Sequence, residues 1–116
     1  METAAIYKIL PDALWRDLEH TGRLAGAPVD LEDGYIHFSA ADQVAETAAK
    51  HFSGQEDLIL VAVDAAALGS DLRWEPSRGG ALFPHLYGEL PLSAVLWAVD
   101  LPLGEDGRHR FPDFDL

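Results

Sequence analysis

A single-domain α+β fold is the class this sequence predicts, and three observations carry the expectation. The elements read β-α-β-α-β and then mostly β; the apolar period switches from two to near 3.6 after Phe38; and Leu58-Ile59-Leu60-Val61-Ala62-Val63 is an unbroken apolar run bounded by turn residues. The expected product is a mixed, mostly antiparallel sheet of about five to seven strands, with two main helices in the N-terminal half. At 116 residues the chain fits one domain, residues 1–116, with its core over about 5–101 and a C-terminal tail over 102–116.

Ala5 to Leu10 alternates as a first strand, placing Ile6, Lys8 and Leu10 on one side and Tyr7 and Ile9 on the other, with Lys8 the anomaly on an otherwise apolar face. Pro11-Asp12 opens a helix whose Leu14, Trp15 and Leu18 form one stripe, and Gly22 stops it. Residues Arg23 to Asp33 carry Gly26, Pro28 and several acids without a clear period, and read as a loop. In Gly34-Tyr35-Ile36-His37-Phe38-Ser39-Ala40, a strand reading turns Ile36 and Phe38 to the core and sets Tyr35, His37 and Ser39 in a row on the other face. Ser39 then reads as the N-cap of a helix marked by Val44, Ala48 and Phe52, with Asp42 in a near-capping-box position, so the polar row should end at a helix N-terminus, where anions are favoured.

The run Leu58 to Val63 fits a central strand buried on both faces. Asp64 to Gly69 reads as one helical turn, Leu72 to Glu75 as a short strand, and Pro76 to Gly80 as a glycine loop. A second histidine stretch follows, Phe83-Pro84-His85-Leu86-Tyr87-Gly88, which if extended offers Phe83, His85 and Tyr87 on one face. After a turn at Pro91 to Ser93, Ala94 to Asp100 supplies the last strand.

Composition limits the partners. The net charge of −12, from 20 acidic and 8 basic side chains, sets the whole-chain field against a polynucleotide, so a small-molecule ligand is expected and nucleic acid is not. Hydrophobic residues make up 48 % and charged residues 24 %, and no apolar run is long enough to span a membrane. The chain contains no cysteine, which removes disulfides, thiolate catalysis and Cys-bound zinc, and its first residues lack the basic-then-apolar order of a secretory signal, so the expected location is the cytoplasm. No H-x-x-x-H or H-E-x-x-H spacing is present, and no metal is expected; G-x-G-x-x-G, P-loop and G-x-S-x-G motifs are also missing.

The two histidine stretches carry the site expectation. An imidazole held on a rigid strand exchanges protons near neutral pH, which makes His37 and His85 the catalytic candidates, with Ser39 beside the first and Glu75 the best-placed carboxylate. Tyr35, Trp74 and Tyr87 are the aromatic faces on which a flat ring would stack.

Ile6-Tyr7-Lys8-Ile9, Trp15, Asp33 to Ser39, Leu72 to Glu75 and Phe83 to Gly88 together resemble the domain of unknown function 952 family of small bacterial proteins, from about Ile6 to Val99. The order of strand, helix, Gly22, loop and Ile36-His37-Phe38-Ser39 is more distantly similar to the ADP-ribosyltransferase fold, above all to RNA 2′-phosphotransferases. That resemblance implies a sheet split around a cleft with Tyr35 and His37 on its wall, and a His-x-Ser element, here His37 and Ser39, in a site for nicotinamide adenine dinucleotide (NAD). It sets Lys8, among the ligand-binding candidates, where those enzymes commonly carry His. The function it implies is a NAD- or ADP-ribose-binding transferase; the alternative is a non-catalytic module that binds a small metabolite or protein through the same cleft. Release of nicotinamide separates them.

Overall fold

Strand β4 (Leu58–Asp64) lies between β1 (Ala5–Pro11) and β8 (Val95–Leu101), antiparallel to both, in the computed structural model, which describes residues 5–112. Residues Leu60 to Val63 are wholly buried, as the unbroken apolar run requires of a strand covered on both faces. Two cores result. On one face Ile6, Leu10, Ile59, Val61 and Val63 pack against Leu18, Ile36, Phe38 and Leu86; on the other, Tyr7, Ile9, Leu60 and Ala62 pack against Val44 and Ala48.

Helix α1 (Asp12–Thr21) follows β1 directly and ends at Gly22, whose φ of 83° closes the last turn by donating to Leu18 O. The segment Arg23 to Asp33, expected as a loop, holds a short strand β2 (Arg23–Leu24) and a helix α2 (Pro28–Asp33). Pro28 occupies the first helical position and Gly34 the left-handed C-cap, so the start and stop signals were present around a helix too short to show a period.

Strand β3 (Ile36–His37) leads to helix α3 (Val44–His51), and β4 is followed by one turn, α4 (Ala65–Leu68), capped by Asp64 accepting from Ala66 N. Strands β5 (Leu72–Pro76) and β6 (Leu82–Leu86) form a hairpin that β3 completes into a sheet ordered β3-β6-β5, while β7 (Leu90–Pro91) pairs with β2. Every strand pairing among the described residues is antiparallel. Among the same residues no helix is long and apolar enough to cross a membrane. Residues 102–112 continue against the body: Leu103 bridges His109, His109 Nε2 donates to Gln55 O at 2.8 Å, and Phe111 packs on the second core; the rest of the expected tail lies outside the described residues.

The expected helix cap at Ser39 is corrected by the structure. Phe38 N bonds Pro84 O in one sheet, whereas Ser39 exchanges backbone bonds with Tyr7 in the other, so the chain crosses between sheets there and the period-two row breaks after His37. The helix begins at Val44, beyond a turn in which Gln43 Oε1 accepts from Ala40 N, and Asp42 lies in that turn rather than in a capping box. The Ser39 hydroxyl is buried and bonds Thr47 Oγ1 at 2.9 Å. Ser39→Ala is expected to cost about 1 kcal/mol, and in a double-mutant cycle Thr47→Val should lose most of its own cost in that background. Additive costs in urea titrations would show that the two hydroxyls do not act together.

Candidate active site

The site is built by register. Across the sheet Ile36, Leu86 and Leu72 stand opposite one another, and in the adjacent row His37, His85 and Arg73 do the same. Since alternate residues face opposite sides of a strand, the first row closes the core and the second is turned away from it. Tyr35, one residue before β3, lays its ring over the second row, with centroids 4.7 Å from His37, 4.2 Å from His85 and 5.2 Å from Tyr87. The two imidazoles are 5.5 Å apart, edge to face.

Each imidazole has its own carboxylate. Glu75, two positions along β5 from Arg73, accepts through Oε1 from His85 Nδ1 at 2.9 Å and from the Tyr87 hydroxyl at 2.7 Å. The Tyr87 bond, then the His85 bond, hold the Glu75 carboxyl below the ordinary range, while the same contact pushes the Tyr87 phenol up. Glu75 is therefore ionised at neutral pH, Nδ1 of His85 is the nitrogen that carries its proton, and the lone pair of the neutral ring lies on Nε2. The Arg73 guanidinium sits 4.8 Å from the Tyr87 ring centroid, a cation–π contact.

His37 is held between two acids of α2, Nδ1 lying 2.6 Å from Asp30 Oδ1 and Nε2 2.9 Å from Asp33 Oδ2. Asp30 is only 2 % exposed. Its Oδ1 also accepts from His37 N at 3.1 Å, and its Oδ2 accepts from Ala27 N at 2.8 Å and pairs with Lys8 Nζ at 3.1 Å. The Ala27 bond is the backward half of a capping box, which ties the aspartate to the helix start. Gly26 makes room for it: a Cβ there would stand 2.7 Å from Asp30 Cβ, at a φ of 142° that side chains rarely adopt. Lys8, 6 % exposed, spends its other contact on His37 O at 2.8 Å.

Burial alone would raise the Asp30 carboxyl, but the His37 hydrogen bond, the Lys8 charge and the two backbone N–H groups outweigh it and bring it down to about 2. Burial lowers the Lys8 ammonium, and the Asp30 charge opposes that shift. A carboxyl that falls from 3.8 to about 2 on folding stabilises the folded state above its unfolded value. That stabilisation, about 2 kcal/mol, should be lost as pH falls from about 4 to about 2. Acid unfolding followed by circular dichroism checks it, and Asp30→Asn should flatten the curve in that window.

The structure brings together Tyr35, His37, Glu75, His85 and Tyr87, and buries Lys8, whose ammonium holds the backbone carbonyl of His37 and pairs with Asp30. Two expected residues lie elsewhere. Ser39 is turned to α3, and Trp74, 46 % exposed, stands opposite Pro84 on the face away from Glu75, because neighbours on one strand cannot share a side. Asp30, Asp33 and Arg73 were missed; Pro28 and Gly34, framing α2, were the signals that would have put both acids on an element next to His37. A separate groove of about 520 Å³ lies at the ends of α1, β4 and β8, lined by Asp12, Arg16, Asp57 and Asp100 among others, and includes none of these site residues.

Residues 9–98 match the family described as Protein of unknown function (DUF952). The crystal structure of protein CC0527 from Caulobacter crescentus is similar at a TM-score of 0.88 and 54 % identity, covering 91 % of this chain and 93 % of that one. The solution NMR structure of CC0527 gives a TM-score of 0.81 and 55 % identity over 90 % of each chain. No curated protein matches this chain. With the family match spanning most of the domain, including both histidine stretches, this chain belongs to the DUF952 family.

Proposed function

We propose that the Tyr35, His37, His85 and Tyr87 face binds a nucleotide of the NAD or ADP-ribose class and acts on it as an ADP-ribosyltransferase-like enzyme of the cytoplasm. The observation that carries this reading is the placement of two carboxylate-paired imidazoles next to each other against one aromatic ring, on a sheet face turned away from the core. Tyr35 and Tyr87 supply flat faces for a base or a nicotinamide ring. Glu75 receives both its bonds on Oε1, so Oε2 has no hydrogen bond among the described residues and can accept from a ribose hydroxyl. Asp33 and Glu75 also favour positive charge, which a cationic nicotinamide carries in the ground state and a ribosyl centre develops as its glycosidic bond breaks. In this reading Nε2 of His85, the unprotonated nitrogen, takes the proton of the incoming nucleophile, and His37 orients the ribose or the leaving group.

Three features stand outside the ADP-ribosyltransferase pattern. Ser39 does not reach the site, no helix N-terminus ends the polar row, and Lys8 is sealed in an ion pair. They favour a smaller role for anion recognition and a larger one for stacking and proton transfer. The test is a set of thermal scans with oxidised NAD, ADP-ribose and inorganic phosphate. A ligand at a hundredfold excess over its Kd should stabilise the protein by about 2.7 kcal/mol and raise Tm, and His37→Ala should abolish the shift. No shift up to millimolar ligand would rule the nucleotide out. Binding without nicotinamide release would leave the same face as a non-catalytic module.

A further inference from the structure

We infer that Asp30 and Lys8 are the positioning residues of the His37 imidazole: together they hold residue 37 at its amide, its carbonyl and its ring, and leave Nε2 as the nitrogen that meets a ligand. Asp30 Oδ1 takes both the amide N–H and Nδ1 of His37, at 3.1 and 2.6 Å, and Lys8 Nζ donates to the carbonyl at 2.8 Å. Two charged side chains, 2 % and 6 % exposed, thus converge on one residue from α2 and β1. Burying such a pair adds little net stability, because the desolvation of both ions offsets their attraction, and an apolar pair of similar volume would pack the same space. What an apolar pair could not supply is direction. An ionised aspartate on Nδ1 keeps a proton on that nitrogen whether or not Nε2 also carries one opposite Asp33, and prevents the ring from turning about χ2.

All four contacts of Asp30 are internal, so it has no acceptor left for a ligand and works only through His37. Asp33 differs. Its side chain is 43 % exposed and its contact is with Nε2, so a ligand oxygen can take its place while the Asp30 bond remains. The inference rests on the reading of His37 as a group that meets the ligand, but its first measurement needs no ligand.

That measurement is the imidazole spectrum of protein labelled with ¹⁵N in its histidine rings, assigned with His37→Ala. Wild type should show a slowly exchanging proton on Nδ1 of His37; a ring with its lone pair on Nδ1 would overturn the inference without any further variant. In Lys8→Met/Asp30→Ala, which leaves no unpaired buried charge, the His37 Nδ1–H signal should be lost, while the His85 Nδ1–H signal, held by Glu75, persists and reports an intact fold. Retention of the His37 signal in that folded variant would overturn the inference, and if the variant does not fold, the wild-type spectrum decides. The dinucleotide-induced rise in Tm should disappear in the same variant. Absence of that rise in wild type would remove the nucleotide reading and leave the ring-proton result to stand or fall by itself.

Discussion

Asp30→Asn is expected to lower stability by about 3–5 kcal/mol, among the largest effects of any conservative change in this chain. The carboxamide is nearly the same size, so packing is unchanged; the loss comes from charge. Lys8, 6 % exposed, keeps its ammonium between the His37 carbonyl and the Phe38 ring with no counter-ion, and an NH₂ group is turned either on Ala27 N–H and Lys8 or on the His37 amide. Lys8→Met in the same background should restore most of the loss by removing the stranded charge, so the cycle is strongly non-additive. Urea unfolding of the four proteins measures it. A cost below about 1 kcal/mol for Asp30→Asn would mean that water reaches the pair and that its burial is not maintained in solution.

The second large effect is expected at Leu86. It is 2 % exposed, stands opposite Ile36 on one side and Leu72 on the other, and forms the middle of the apolar row that seats the β3-β6-β5 sheet on the core. Leu86→Ala removes three carbon atoms from a site with neighbours fixed on adjacent strands, and should cost about 2–5 kcal/mol with the denaturant m-value unchanged. Because His85 precedes it on β6, the same cavity should loosen the polar row above, and the aromatic ring-current shifts of Tyr35 should fall toward random-coil values. A cost under about 1 kcal/mol would show that the sheet closes over the gap.

Much of the fold was legible because it is written in local periods. The apolar run at Leu58 to Val63 identified the doubly covered central strand, and Pro11 with Gly22 bounded α1. The alternation in Tyr35 to His37 and Phe83 to Tyr87 separated core-facing from outward-facing residues, so His37, His85 and Tyr87 could be named together from two distant stretches, and Glu75 was added from a third as the best-placed carboxylate. Where a period was too short to read, the expectation failed: α2 has barely more than one turn, and with it went Asp30 and Asp33. Trp74 was named with Tyr35 and Tyr87 as a stacking face, although strand geometry puts it on the face opposite Glu75 and Tyr87.

What the sequence by itself determined is therefore the long strands and the helices α1 and α3, the faces on which His37 and His85 sit, and the anomaly of Lys8 on an apolar stripe. Only the tertiary structure decided the partners. Ser39 bonds Thr47 rather than a helix end because the chain changes sheets at Phe38, and Lys8 is neutralised by Asp30 because β1 and α2 are brought together across Gly26. The physical reason is that periodicity reports which side of an element is buried, through the free energy of removing apolar surface from water, and carries no information about which polar groups meet there. Those pairings depend on distances between segments far apart in the chain, and a buried charge then accepts whichever partner the packing sets within hydrogen-bonding reach.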